Sequence, residues 1–364
     1  MQSKETELLT FFDFPIEQFA DRSARWLLED RENVRGLLEI FAEYLATHLD
    51  FGELNQINRN FIPDNLREQE ADLVYSVPFL TGSEAEELLI YILIEHQSSV
   101  DTTMAFRVLF YMTLIWDFQR QEWESNNVPR SQRRFRPIIP IIFYTGEQRW
   151  KSPLSLSTLV DLPDLLSEFV PKFGILFFNV KETDTTELTR TDHPFGWLLT
   201  VLQKEHASKE ELRAALVEAV THIDTLDEEE TQQWKRAIYY LYLLILHRRP
   251  PEEHHELQKL VQDHIQEPSR KEEAGKMAQT MAEYLIEQGE KRGEKRGEKR
   301  GEKRGEKRGE TRAKREVLLK LLRHRFDAVP DSLTSKIAST RSLSRLDTLL
   351  DRVVTAESLD DIDW

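Results

Sequence analysis

Two short apolar runs flanking a polar turn constrain this fold more than any other feature of the chain. Residues 71–79 (ADLVYSVPF) and 88–96 (LLIYILIEH) are apolar or β-branched, with TGSEAEE between them, the pattern of a β-hairpin. Antiparallel pairing about a centre near Ser83 brings the start of the first strand beside the end of the second, so that Asp72 meets Glu95. Side chains alternate along a strand, so Glu95 and Gln97 share a face and His96 points the other way. Two carboxylates and one amide thus converge at one edge of a sheet.

Neighbouring carboxylates repel, and burying them without compensation is costly, so this arrangement calls for a cation between Asp72 and Glu95. Hard oxygen donors suit Mg²⁺ or Mn²⁺. Such an ion polarises a phosphodiester and helps ionise water, while Gln97 can hydrogen-bond the water or a phosphate oxygen. His96 reads as a core residue rather than a ligand, since no second histidine stands at metal-binding spacing from it.

The flanking segments predict an α/β sandwich with a mixed sheet. Between 21 and 49 the apolar residues recur at threes and fours, an amphipathic helical entry. Helical spacing returns over 103–123. Residues 137–143 (PIIPIIF) form an apolar run whose ends proline would fix as a buried strand, and 173–180 (FGILFFNV) reads as one more strand. The order helix, strand, strand, helix, strand, strand is that of layered α/β folds. Beyond about Leu188 the periodicity is all helical, read as a packing extension that carries the run AIYYLYLLIL.

Low complexity interrupts this pattern late in the chain. From Gly289 to Glu310 the unit Gly-Glu-Lys-Arg repeats with period four. A helix here would gain weak Lys to Glu pairs but lose about 1 kcal/mol at every glycine, so a fraying helix and an extended linker are both open. Eleven Lys or Arg stand against six Glu over 290–312, which admits a DNA-binding arm diluted by its own acids. The segment 313–364 resumes helical spacing as a small module.

Composition narrows the function classes. There is no cysteine, which excludes disulfides, thiolate zinc sites and a cysteine nucleophile and agrees with a reducing, cytoplasmic setting. Neither a signal peptide nor a membrane span is expected from the apolar patterning. A net charge of -16 argues against a passive DNA coat and requires any nucleic acid to be met by local basic patches or a bound cation.

The segment ADLVYSV at 71–77 is followed by IEHQSS at 94–99, a helix bearing Met104, Arg107, Tyr111 and Met112, and PIIPIIFYTGEQRW at 137–150. Together these resemble the Rpn family of recombination-promoting nucleases, also described as YhgA-like transposases, over roughly residues 20 to 180. The resemblance implies a PD-(D/E)XK restriction-endonuclease-like core, metal-dependent DNA endonuclease activity and a role in RecA-independent recombination. It makes Asp72 and Glu95 the metal-holding acids and Gln97 the third catalytic residue, standing where the wider superfamily has lysine. Ala71 occupies the place of the superfamily proline. A strand-joining transposase ranks last, because no DDE arrangement is visible beyond this cluster.

The chain accordingly divides into a nuclease-like core (1–187), a helical extension (188–288), the repeat (289–312) and a helical C-terminal module (313–364). DNA is the implied partner, with a homo-oligomer as a further candidate and no membrane. Arg107 either faces the cleft, where it could bind phosphate, or forms a structural ion pair. Arg130, Arg133, Arg134 and Arg136, in PRSQRRFRP, either follow a DNA backbone or form a solvated loop. Tyr144 and Trp150 read as core aromatics. The rival to an enzyme is a catalytically degenerate nuclease fold that serves as a protein or DNA interaction module.

Overall fold

The computed structural model describes residues 19–57, 73–80, 87–161, 164–326 and 328–364. They fall into two compact units, Met1–Met281 and Ala282–Trp364. In the first unit, α1 (Phe19–Leu28) and α2 (Arg31–Phe41) form the helical entry. Leu27, Leu28, Val34, Leu37, Leu38 and Ile40 are buried, as their spacing at threes and fours requires. Asp30 separates the two helices: its carboxylate accepts the Glu32 N–H and caps α2.

A five-stranded sheet follows, formed by β1 (Asn55–Gln56), β2 (Leu73–Leu80), β3 (Glu87–Gln97), β4 (Ile138–Tyr144) and β5 (Leu176–Asn179), in that spatial order. The pairs β1–β2 and β2–β3 are antiparallel, whereas β3–β4 and β4–β5 are parallel. The change of direction follows from the connections. A short turn can join only antiparallel neighbours, while α3 (Met104–Ser125) spans the long crossover that a parallel β3–β4 pair needs.

Pro140 corrects one expectation. Only Pro137 precedes β4, and Pro140 lies inside it rather than at its end. The ladder to β5 begins at Ile141, so Pro140 has no β5 residue opposite it, and a missing N–H is tolerated there.

The sheet is covered on both faces. On one, Met104, Val108, Tyr111, Met112 and Ile115 of α3 pack against Val74, Ile138 and Ile142. On the other, Phe41 of α2 stacks on Phe178 at 4.2 Å, and Phe195 of α4 (Pro194–Gln203) meets Phe143 at 6.2 Å. The adjacent residues Ile142 and Phe143 thus serve opposite layers, as a pleated strand dictates. Tyr75 sends its hydroxyl to the Leu28 carbonyl, and burial pushes that phenol up beyond its ordinary range.

The helices after the sheet join this second layer. A reciprocal cap between Ser208 and Glu211 starts α5 (Lys209–Ile223). Helix α6 (Thr231–Arg248) buries every residue from Ala237 to Ile245, which explains its unbroken apolar run. Arg236 of α6 lies 3.3 Å from Asp30 and donates to the Trp26 carbonyl at 2.9 Å, fastening the helical extension to the entry helices. Helix α7 (Pro251–His264) packs on α5.

Helix α8 (Pro268–Arg325) runs through the Gly-Glu-Lys-Arg repeat, so of the two conformations open for that segment the helical one is adopted. The boundary between the units falls within it. The second unit has a core of its own, with Leu318 and Leu322 of α8, Leu333 and Ile337 of α9 (Asp331–Ser339), and Leu346, Leu349 and Val353 of α10 (Leu343–Thr355). Among the described residues, no helix is long and apolar enough to cross a membrane.

Candidate active site

The β2–β3 hairpin sets the register at the candidate site. Leu80 pairs with Glu87 at the turn end and Leu73 with Ile94 at the far end, one residue short of Asp72 and Glu95. Asp72 lies outside the described residues, as does the side chain of Glu95. The β3 backbone continues through both Glu95 and Gln97, which pair with Ile142 and Tyr144 of β4. Gln97 is 9% exposed, largely buried at the end of the strand.

The end of β3 is clamped by the turn after β4. The Thr145 N–H donates to the Gln97 carbonyl at 2.9 Å, extending the ladder by one bond. His96 is buried, with Nε2 2.8 Å from the Thr145 hydroxyl and its ring against Phe143. It is a hydrogen-bonded core histidine, as expected. The Tyr144 hydroxyl donates to the Gln148 carbonyl, and Trp150 meets the Tyr144 ring edge-on at 5.1 Å. Burial pushes the Tyr144 phenol up, and the nearby Glu147 and Glu182 charges push in the same direction. The block PIIPIIFYTGEQRW is therefore a packing device that holds β4 and its turn beside Gln97.

Arg107 stands on the first turns of α3, close in sequence to the end of β3, and its guanidinium is 3.4 Å from the Asp101 carboxylate. Burial raises the Asp101 pKa, but hydrogen bonds from the Thr103 hydroxyl and N–H, together with Arg107, outweigh it and hold the carboxyl below its ordinary value. Of the two readings open for Arg107, the ion pair is formed, with Asp101.

The arginine loop lies elsewhere. It enters β4 at Ile138, opposite Tyr91, whereas Glu95 is opposite Ile142. At a rise of about 3.3 Å per residue, Arg136 is about 20 Å along the strand from the Glu95 position. Phe135 fixes this loop against the far end of α3, between Trp116 at 6.1 Å and Trp123 at 4.7 Å, and Trp116 donates to the Arg136 carbonyl. Arg133 is drawn inward to the Val128 carbonyl, and Arg130, Arg134 and Arg136 are exposed.

A second acidic group has no signature in the sequence. Glu147, Glu205 and His206 lie close enough together to share a cation. One is already supplied: the Lys181 ammonium is 2.7 Å from Glu147 and 3.0 Å from Glu205, and Arg248 reaches Glu205 at 2.9 Å. Two fixed cations around one buried carboxylate leave little attraction for a divalent ion. These residues are scattered along the chain, so no local spacing announces them.

A profile of the family described as "Putative transposase, YhgA-like" matches residues 20–235. The chain is similar to the recombination-promoting nuclease RpnC of Escherichia coli (strain K12), 28% identical over 215 residues that make up 58% of this chain and 66% of the relative. It is 33% identical over 135 residues to the recombination-promoting nuclease RpnD of Escherichia coli O157:H7, covering 36% and 47% of the two chains. The inactive recombination-promoting nuclease-like protein RpnE of Escherichia coli (strain K12) is 32% identical over 134 residues, covering 36% and 40%. The matched part thus spans less than two thirds of these relatives' own lengths. No solved structure matches the chain. The matched profile covers more than half of the sequence, and the chain belongs to the YhgA-like transposase family.

Proposed function

We propose that this protein is a metal-dependent DNA endonuclease with a PD-(D/E)XK-type core, acting in DNA recombination, with Asp72, Glu95 and Gln97 as its catalytic residues. The observation that carries the proposal is the hairpin register, because a Leu73–Ile94 pair is the one that juxtaposing Asp72 and Glu95 requires. The relatives named recombination-promoting nucleases support the same reading.

The donor set fits a hard divalent ion: two carboxylates, beside a buried Gln97 at the end of the strand. Asp72 and Glu95 would hold Mg²⁺ or Mn²⁺, which when bound polarises the phosphodiester and assists ionisation of water. Gln97 accepts a hydrogen bond from the attacking water through its amide oxygen, or donates from its amide nitrogen to a phosphate oxygen. Water adds to phosphorus as the ester P–O bond breaks, giving a phosphate monoester and an alcohol. Gln97 is uncharged, so it cannot supply the positive charge of a lysine. Arg107, paired with Asp101 near the end of β3, and the exposed arginines about 20 Å along the strand from the Glu95 position would meet separate phosphates.

Plasmid cleavage tests this assignment. In Mg²⁺ the wild type should nick supercoiled DNA while Asp72→Ala, folded by circular dichroism, should not; equal nicking by both would remove Asp72 from the mechanism. A non-catalytic interaction module is the second reading, favoured by the glutamine in place of lysine and by the existence of a relative named inactive. It requires that calorimetric titration with Mg²⁺ or Mn²⁺ show no binding that disappears in Glu95→Gln.

A further inference from the structure

The second unit contains a cleft of about 760 Å³ between the last turns of the repeat and the loop into α10, lined by Lys307, Arg308, Thr311, Arg315, Arg341, Ser342, Leu343 and Ser344. Four of these residues are cationic and none is acidic. Two acids of the same segments are engaged elsewhere: Lys314 binds both Glu310, at 2.9 Å, and Asp347, at 2.7 Å. Among the described residues Lys307, Arg308 and Arg341 have no ion-pair partner, and all three are exposed. Arg315 is the fixed member, held by two hydrogen bonds to the Thr340 carbonyl.

Further donors point the same way. Helix α10 begins at Leu343, with the Ser342 hydroxyl capping the Arg345 N–H. The first N–H groups of a helix have no intrahelical acceptor, so those of Leu343 and Ser344 add to the positive end of a 13-residue helix at this wall. Like charges gather here, and an anion in the cleft would offset their mutual repulsion.

We propose that this cleft binds a phosphate of a nucleic-acid backbone, as a second DNA-binding position separate from the cleavage site. No aromatic side chain lines it, so it offers no platform for a base, and its chemistry suits the phosphodiester alone. A backbone rather than a free phosphate is favoured because the exposed Lys299, Arg300, Lys303 and Arg304 precede Lys307 and Arg308 on α8, continuing the cationic residues outside the cleft. The charge balance agrees: 282–364 holds twenty Lys or Arg against seventeen Asp or Glu, although the whole chain has a net charge of -16. The proposal rests on DNA being the substrate, but not on the catalytic residues.

The test is the affinity of the full chain for a 30-base-pair duplex, read by fluorescence anisotropy in EDTA so that cleavage does not enter. Arg308→Ala/Arg341→Ala should bind about ten-fold more weakly at moderate salt, with a plot of log affinity against log salt shallower by about one for each phosphate that the variant no longer neutralises. Lys320→Ala, which removes an exposed charge outside the cleft, should bind like wild type. Unchanged affinity and slope in the double variant, an equal loss in Lys320→Ala, or no duplex binding by wild type would each overturn the proposal. So would competition by millimolar inorganic phosphate far beyond that of equal ionic strength from chloride, which would identify a free-phosphate pocket instead. Because binding is read in EDTA and cleavage in Mg²⁺, failure of the cleft and failure of the nuclease assignment give different patterns.

Discussion

Gly146 and Ser98 approach so closely at the end of the β3–β4 ladder that a β-carbon on Gly146 would lie 2.3 Å from the Ser98 carbonyl oxygen. The Tyr144 hydroxyl would be only 2.5 Å away on another side. Neither neighbour can yield easily, since one is backbone and the other is tied to the Gln148 carbonyl. Gly146→Ala should therefore destabilise the protein by about 2 kcal/mol, within the range for overpacked sites. The same turn holds Gln97, so cleavage measured well below the melting temperature should fall as well. An unchanged urea midpoint would show that the turn opens at no cost.

Glu205 makes a sharper electrostatic prediction. Its carboxylate is buried between Lys181 and Arg248, whereas Glu147, the other partner of Lys181, is 60% exposed. Removing one member of a buried charge group strands the others, at about 3 kcal/mol or more. Glu205→Gln should thus lower stability by about that amount and Glu147→Gln by under about 0.5 kcal/mol. Metal-dependent cleavage by folded Glu205→Gln should keep the wild-type Mg²⁺ requirement. A loss of metal response in that variant would relocate the metal site to this cluster.

Those two sites mark what the sequence discloses and what it conceals. The hairpin was legible because each strand carries its own apolar signature and the turn fixes the register, so the Leu73–Ile94 pairing follows from counting outward from Ser83. Helix α3 and the helices after the sheet were legible from period alone. Pro140 was misplaced because its tolerance depends on where β5 begins, a tertiary fact absent from the local pattern. The separation of the arginine loop from β3's end likewise emerges only when β4's register is known. Lys181, Glu205 and Arg248 come from three distant segments, and only their packing makes them a group. The repeat was undecidable locally, because glycine cost and charge pairing nearly cancel there.

His193 should give stability a measurable pH dependence. Its Nδ1 accepts the Phe195 N–H at 3.1 Å, capping α4, which only a ring unprotonated at that nitrogen can do. Burial lowers its pKa below 6.5, and Arg35 acts in the same sense, against the opposing charges of Glu39, Glu230 and Asp30. The unfolded chain then takes up this proton at a higher pH than the folded one does. Stability from His193 is complete above about pH 6.5 and declines as pH falls toward the folded-state value, with a slope of at most about 1.4 kcal/mol per pH unit. His193→Asn retains a capping acceptor without titrating, so its urea midpoint should change less than that of wild type between about pH 7.5 and pH 5. Parallel curves for the two proteins would exclude His193 as the source.

The repeat offers the last test, because its glycines have no steric duty. At Gly297, Gly301, Gly305 and Gly309 an added β-carbon would meet nothing within 4 Å, and all four lie inside α8. Alanine there removes backbone freedom from the unfolded chain without any clash, at about 0.8–1 kcal/mol per site in a helix interior. The fourfold Gly→Ala variant should therefore show greater helicity at 222 nm and amide exchange slowed by one to two orders of magnitude across the repeat, depending on how locally it opens. Its charges are untouched, so duplex binding through the neighbouring basic cleft should persist. Unaltered exchange would mean that α8 is held by something other than its intrinsic helical balance, whereas slowed exchange accompanied by weakened DNA affinity would show that binding requires this stretch of helix to bend.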